Sequence, residues 1–94
     1  MNEWDWLVDT IPIGQRDAVS MTYLAKLHRM TKRELRREVE QARRAGILIC
    51  SSNRGYFMPE SMQDISEHAH RAGERIRTAT ACLAPFLRVI RKGW

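Results

Sequence analysis

Apolar and polar positions change rhythm three times along this chain. Trp4, Leu7, Val8 and Ile11 recur at helical spacing and predict a short first helix, with Asn2 placed to cap it and Pro12 and Gly14 to end it. Trp6 lies off that stripe and is expected to face outward. Ala18, Val19 and Ser20 suit a brief strand, after which Ser20 caps a second helix with Tyr23, Leu24 and Leu27 inward. His28, Arg29 and Met30 form the connection to a third helix. There, at roughly 100° per residue, Leu35, Val39 and Ala42 fall on one side. Thr31 and Glu34 have the spacing of a capping box, and Gly46 follows the last turn as a residue able to take positive φ.

Ile47-Leu48-Ile49-Cys50 and Tyr56-Phe57-Met58 are β-prone runs around the turn residues Ser51, Ser52, Asn53, Arg54 and Gly55. They predict a hairpin with Arg54 near its tip and Tyr56 in its core. Pro59 closes this unit. From Glu60 onward the rhythm becomes a heptad: Met62, Ile65, Ala69, Ala72, Ile76, Ala79, Leu83, Phe86 and Ile90 alternate spacings of three and four. That seam is stricter than a helix lying on a globular core requires, and its alanines let two backbones approach closely. Pro85 deletes the bond to the carbonyl of Ala81, so a kink or break is expected there. The chain divides accordingly into residues 1–59 and a helical segment, 60–94.

Charge sharpens the reading of the third helix. Residues 29–44 hold seven Lys or Arg against three Glu. Arg33, Arg37, Glu40 and Arg44 fall opposite the apolar stripe, with Lys32, Arg36 and Arg43 on one flank. Ion pairs such as Glu40–Arg44 absorb at most three of the seven cations. The net charge of +5 is uneven, with ten basic and four acidic side chains in residues 16–59 and only Glu3, Asp5 and Asp9 in residues 1–15. A basic centre of this kind is a footprint for a polyanion. Guanidinium forks at successive turns suit phosphates and base edges.

The run Leu24-Ala25 … Thr31-Lys32-Arg33-Glu34-Leu35-Arg36-Arg37-Glu38-Val39 … Arg43-Arg44-Ala45-Gly46-Ile47-Leu48-Ile49-Cys50-Ser51 … Arg54-Gly55-Tyr56 resembles the winged helix-turn-helix family. It is most similar to the biotin-repressor-like subgroup and to small winged-helix proteins of bacterial prophages, over residues 17–58. The resemblance implies a mainly α fold with a small β-hairpin wing, which the heptad segment extends as a long C-terminal helix. It also implies double-stranded DNA as partner, with Lys32, Arg33, Arg36 and Arg37 in the major groove and Arg54 on the backbone or minor groove. One departure is Ala42, where relatives often carry a larger aliphatic residue. The heptad segment lies outside the shared motif.

These readings converge on a small dimeric transcriptional regulator, phage or prophage encoded by the resemblance. The DNA face comprises Arg29, Thr31, Lys32, Arg33, Arg36, Arg37, Glu40, Arg43, Arg44 and Arg54, with Arg29, Arg43, Arg44 and Arg54 on phosphates. Glu40 either accepts from a cytosine amino group or orients Arg36, Arg43 or Arg44. Self-association is expected through Ile65, Ala69, Ala72, Ile76, Ala79, Leu83 and Phe86, with strand direction open. Two alternatives keep the fold: an accessory factor in phage replication or recombination, or a protein–protein module such as an antirepressor or inhibitor.

Other chemistry is excluded on spacing. His68 and His70 point about 200° apart on a helix and cannot share an ion. Cys50 and Cys82 have no close partner, which argues against a disulfide framework and fits a reducing cytoplasm, with Cys82 expected buried. No nucleophile–base pair, phosphate-cradling glycine loop or carboxylate cluster appears, so neither an enzyme nor a cofactor is expected. The start lacks the basic-then-apolar order of a signal peptide, and the longest apolar run, residues 81–87, is too short to span a bilayer.

Overall fold

Two side-chain caps set the middle of the molecule, a computed structural model that describes residues 3–92. Ser20 Oγ accepts from the amide of Tyr23 at 3.0 Å and opens helix α2, Met21–Leu27. Thr31 and Glu34 form the reciprocal capping box that opens α3, Lys32–Arg44, each side chain bonded to the other's amide at 3.1 Å. The tight connection turns on Arg29, whose φ is 54°, and α3 ends at Gly46 with φ 97°. Before them lie a short helix α1, Asp5–Val8, and a 3-10 turn, Gln15–Asp17. After them come strands β1, Cys50–Ser52, and β2, Gly55–Phe57, and a long helix α4, Met62–Lys92. The fold is mainly helical, with a two-stranded antiparallel hairpin and a long C-terminal helix.

The core collects Leu7 and Ile11, Leu24 and Ala25, Leu35, Val39 and Ala42, and Ile49 and Tyr56. Burial of each large aliphatic among them contributes about 1.5–3 kcal/mol. The expected faces of α1 and α3 are therefore the buried ones, with Trp4 partly buried against the core and Trp6 outward, edge-on to the ring of His28. The expected cap Asn2 lies outside the described residues. In α2 only Leu24 is inward as expected. Tyr23 and Leu27 are about half exposed and Ala25 is buried instead, because this seven-residue helix meets α3 along one narrow line.

The hairpin is displaced along the chain from the apolar runs. Ser51 and Ser52 are strand residues paired with Tyr56 and Gly55, leaving Asn53 and Arg54 as the turn, while Ile47, Leu48 and Ile49 are irregular. Residues 18–20 form no strand. Val19 makes one antiparallel bridge to Tyr56, its N–H donating to Tyr56 O at 3.0 Å and its O accepting from Tyr56 N–H at 2.8 Å. This covers the free edge of β2.

The free edge of β1 is covered by α4. Nδ1 of His68 accepts from the amide of Ser51 at 3.2 Å, and Arg71 donates to the carbonyl of Ser51 at 2.5 Å. A strand edge is thus satisfied by side chains one helical turn apart. Beyond Gly73 the helix leaves the body, and every described residue from 74 to 92 is exposed. Two expectations change as a result. Cys82 is exposed rather than buried, since among the described residues no other element packs on this part of α4. Of the kink or break expected at Pro85, the break is absent: α4 continues through it, because one deleted bond among 31 helical residues does not terminate it.

Candidate nucleic-acid interface

α3 presents a cationic ridge because its apolar and basic positions are in phase with the helix. Leu35, Val39 and Ala42 are buried at its back, so Lys32, Arg33, Arg36, Arg37 and Arg44 stand exposed at its front. Of these, Arg44 pairs with Glu40 at 2.9 Å. Among the described residues Lys32, Arg33, Arg36 and Arg37 form no salt bridge within the chain, although Arg37 lies close enough to Glu34 to favour its ionised form. Glu40 is thereby engaged with Arg44 in an exposed pair one turn along the helix. Thr31 and Glu34 shape the ridge's beginning. The amide of Thr31, above all, holds the Glu34 carboxyl below the usual carboxylate range.

Arg43 is different. Its Nε donates to the carbonyl of Ile49 at 2.8 Å, one terminal nitrogen lies 3.4 Å from Ser51 Oγ, and its guanidinium sits 6.0 Å from the Tyr56 ring centroid. The side chain ties the last turn of α3 to β1, which leaves fewer donors for a phosphate than Arg44 has. Arg29 is exposed in the turn before α3, and Arg54 is exposed at the hairpin tip with its amide bonded to Ser52 Oγ at 3.2 Å.

Between α3 and the hairpin runs an open cleft of about 340 Å³, bordered by Arg36 and Arg43 from α3, by Ser51, Ser52 and Tyr56 from the hairpin, and by Arg75 from α4. Three guanidiniums meet there with no carboxylate on the rim. Arg75 was not among the residues expected on this face. Its signal was legible: His68, Arg71 and Arg75 recur at spacings of three and four, a polar stripe beside the apolar seam. The same crowding of cations reaches His68. Burial first, and Arg43 next, push its imidazole below the ordinary value, with Arg71 and Arg75 adding to the effect.

His68 and His70 do not come together, the former being committed to Ser51. Among the described residues no three His, Cys, Asp or Glu side chains gather as a metal site, and no helix is long and apolar enough to cross a membrane. Cys50 is buried, which raises its thiol pKa. The chemistry on offer is that of anion recognition: exposed cations on a capped helix, beside an open cleft lined by three guanidiniums. No protein-family model, curated protein or solved structure matches this chain.

Proposed function

We propose that this chain binds double-stranded DNA as a small dimeric transcriptional regulator of winged helix-turn-helix type. The observation that carries the reading is the exposed cation set Lys32, Arg33, Arg36 and Arg37, none of them in a salt bridge among the described residues, on a helix anchored by three buried residues. A solvated helix face ordinarily interleaves both signs of charge, which neutralise one another at the i,i+4 spacing. Here four cations remain over, at the spacing a major groove accepts. α3 enters that groove, Arg44 and Arg29 hold flanking phosphates, and Arg54 at the hairpin tip reaches the adjoining backbone. The cleft between α3 and the hairpin receives one phosphodiester strand between Arg36 and Arg75.

Dimerisation is part of the proposal. Ile76, Leu83, Phe86 and Ile90 are all more than half exposed on a helix that leaves the body, and single chains seldom leave such a stripe uncovered. A dimer places two α3 helices on an inverted repeat with half-sites about one turn apart.

The test is selection of bound fragments from a random duplex pool, followed by affinity measurements across salt. The expected outcome is a two-fold symmetric site whose affinity falls steeply with salt as counterions are released. No duplex binding at about 50 mM salt leaves a protein–protein module as the reading. Enrichment of an origin or attachment site without promoter control favours the replication or recombination role.

A further inference from the structure

Taking the dimer reading above as given, we propose that α4 pairs with α4 of a second copy in antiparallel direction and in one register. That register sets Ile90 against Ile65 of the second copy.

Side-chain volume along the seam selects it. In a parallel pair every seam residue meets its own copy, so Ala69, Ala72 and Ala79 give three alanine–alanine layers while Phe86 meets Phe86. Such a seam alternates voids with crowding. In the antiparallel pair the two heptad positions exchange partners, and the register that joins Ile90 to Ile65 also joins Phe86 to Ala69 and Leu83 to Ala72. Ala79 then meets Ile76. Each alanine faces a large side chain, which is the interdigitation that close packing requires.

Charge points the same way. From Glu60 to Glu74 the segment carries four carboxylates and Arg71, whereas from Arg75 to Lys92 it carries five cations and no carboxylate. Antiparallel pairing brings the basic end of one helix, with Arg88 and Arg91, level with the acidic beginning of the second, with Asp64 and Glu67, although these residues lie away from the seam and make no ion pairs across it. Parallel pairing stacks like on like. These charges sit on the outer faces, so they select direction more than they add affinity.

The body supplies a seat for the end of the second helix. A cavity of about 210 Å³ opens between the end of α3, β1 and α4, bordered by Leu48, Ile65 and His68. Leu48 is 53% exposed beside it. In the register above, Ile90 lands at Ile65 and Val89 flanks His68, so two apolar side chains of the second copy arrive at this opening. The two His68 residues then lie about 28 Å apart along the axis, 19 residues at 1.5 Å each. The two bodies are held apart by the free part of α4 rather than side by side.

The experiment uses the full chain with Cys82→Ser and Lys92→Cys, spin-labelled at residue 92, since the thiol of Cys50 is buried. Light scattering gives the mass and pulsed electron resonance the distance between labels. A dimer with labels about 43 Å apart along the axis is expected. A dimer with labels under about 25 Å apart overturns the orientation while leaving dimerisation intact. A monomer overturns both, and leaves the apolar face to another protein. Register is tested by exchange at exposed positions. Ala69→Phe and Phe86→Ala are each expected to weaken the dimer at least about tenfold, and the double variant to recover to within about threefold. Additive losses in the double variant overturn the register.

Discussion

The amide of Ser51 donates to Nδ1 of His68 at 3.2 Å, a bond that only a neutral imidazole accepts. It joins the middle of β1 to the helix that carries the second apolar face. Burial above all, and then the nearby Arg43 guanidinium, hold this imidazole below its unfolded value of 6.5, so the unfolded chain takes up a proton first as pH falls. The stabilisation is present in full above pH 6.5 and is lost as pH drops through the folded value. Thermal melts of the wild type are expected to fall more steeply than those of His68→Gln between about pH 7.5 and 5.5. Glutamine keeps an acceptor that does not titrate. Parallel curves for the two proteins would uncouple His68 from stability.

Arg43 and Arg44 are neighbours in sequence with different tasks. Arg43 holds the Ile49 carbonyl and approaches Ser51, whereas Arg44 pairs with exposed Glu40. Arg43→Ala is expected to cost about 1–2 kcal/mol in denaturant unfolding. Arg44→Ala is expected to cost less than about 0.5 kcal/mol while weakening DNA affinity. Equal stability of the two variants would count against the structural role of Arg43.

Gly55 and Gly46 both have positive φ, but their surroundings differ. A Cβ at Gly55 falls 2.1 Å from the carbonyl oxygen of Val19, whereas at Gly46 it meets nothing within 4 Å. Gly46→Ala is expected to cost about 1 kcal/mol from backbone strain alone. Gly55→Ala adds the loss of the Val19–Tyr56 bridge and is expected to cost at least about 3 kcal/mol. Denaturant midpoints measure both, and a Gly55→Ala protein as stable as Gly46→Ala contradicts the packing of Val19 on β2.

Arg33→Ala combined with Arg37→Ala is expected to abolish site-specific DNA binding with the circular dichroism spectrum unchanged, because both side chains lie outside the core. Arg75→Ala is expected to weaken binding evenly across sequences and to lower the salt slope by about one. Fluorescence anisotropy across salt reads both. Retained specificity in the double variant means that α3 faces elsewhere, and an unchanged slope in Arg75→Ala removes α4 from the interface.

Ile76 stands 66% exposed in the middle of the seam. Ile76→Asp is expected to halve the mass in light scattering, and to reduce affinity for a two-fold site far more than for a single half-site. A variant that keeps the dimer mass places the contact off this stripe.

Where local chemistry is strong, the chain could be read directly. The capping box at Thr31 and Glu34, the cap at Ser20 and the positive φ at Gly46 depend on neighbours within four residues, and the spacing of Leu35, Val39 and Ala42 sets which face of α3 is available for burial. The basic ridge follows from the same periodicity, so Lys32, Arg33, Arg36 and Arg37 were legible as exposed cations.

Tertiary structure decided the rest. Whether Tyr23 and Leu27 are inward depends on how much of a seven-residue helix α3 can cover. Where the hairpin begins depends on the distance from the end of α3 to the core, which Ile47, Leu48 and Ile49 cross before pairing starts at Cys50. Local sequence does not set Arg43 apart from Arg44, and the polar stripe of His68, Arg71 and Arg75 does not by itself say that Arg75 borders the same cleft as Arg36. Arg43 is set apart by Ile49 and Ser51 folding back on the end of α3, and Arg75 by α4 lying along β1, a contact made by His68 and Arg71 with one serine some 17 to 20 residues earlier. Periodicity reports which side of a helix is apolar, while the element it meets is determined by packing between distant parts of the chain.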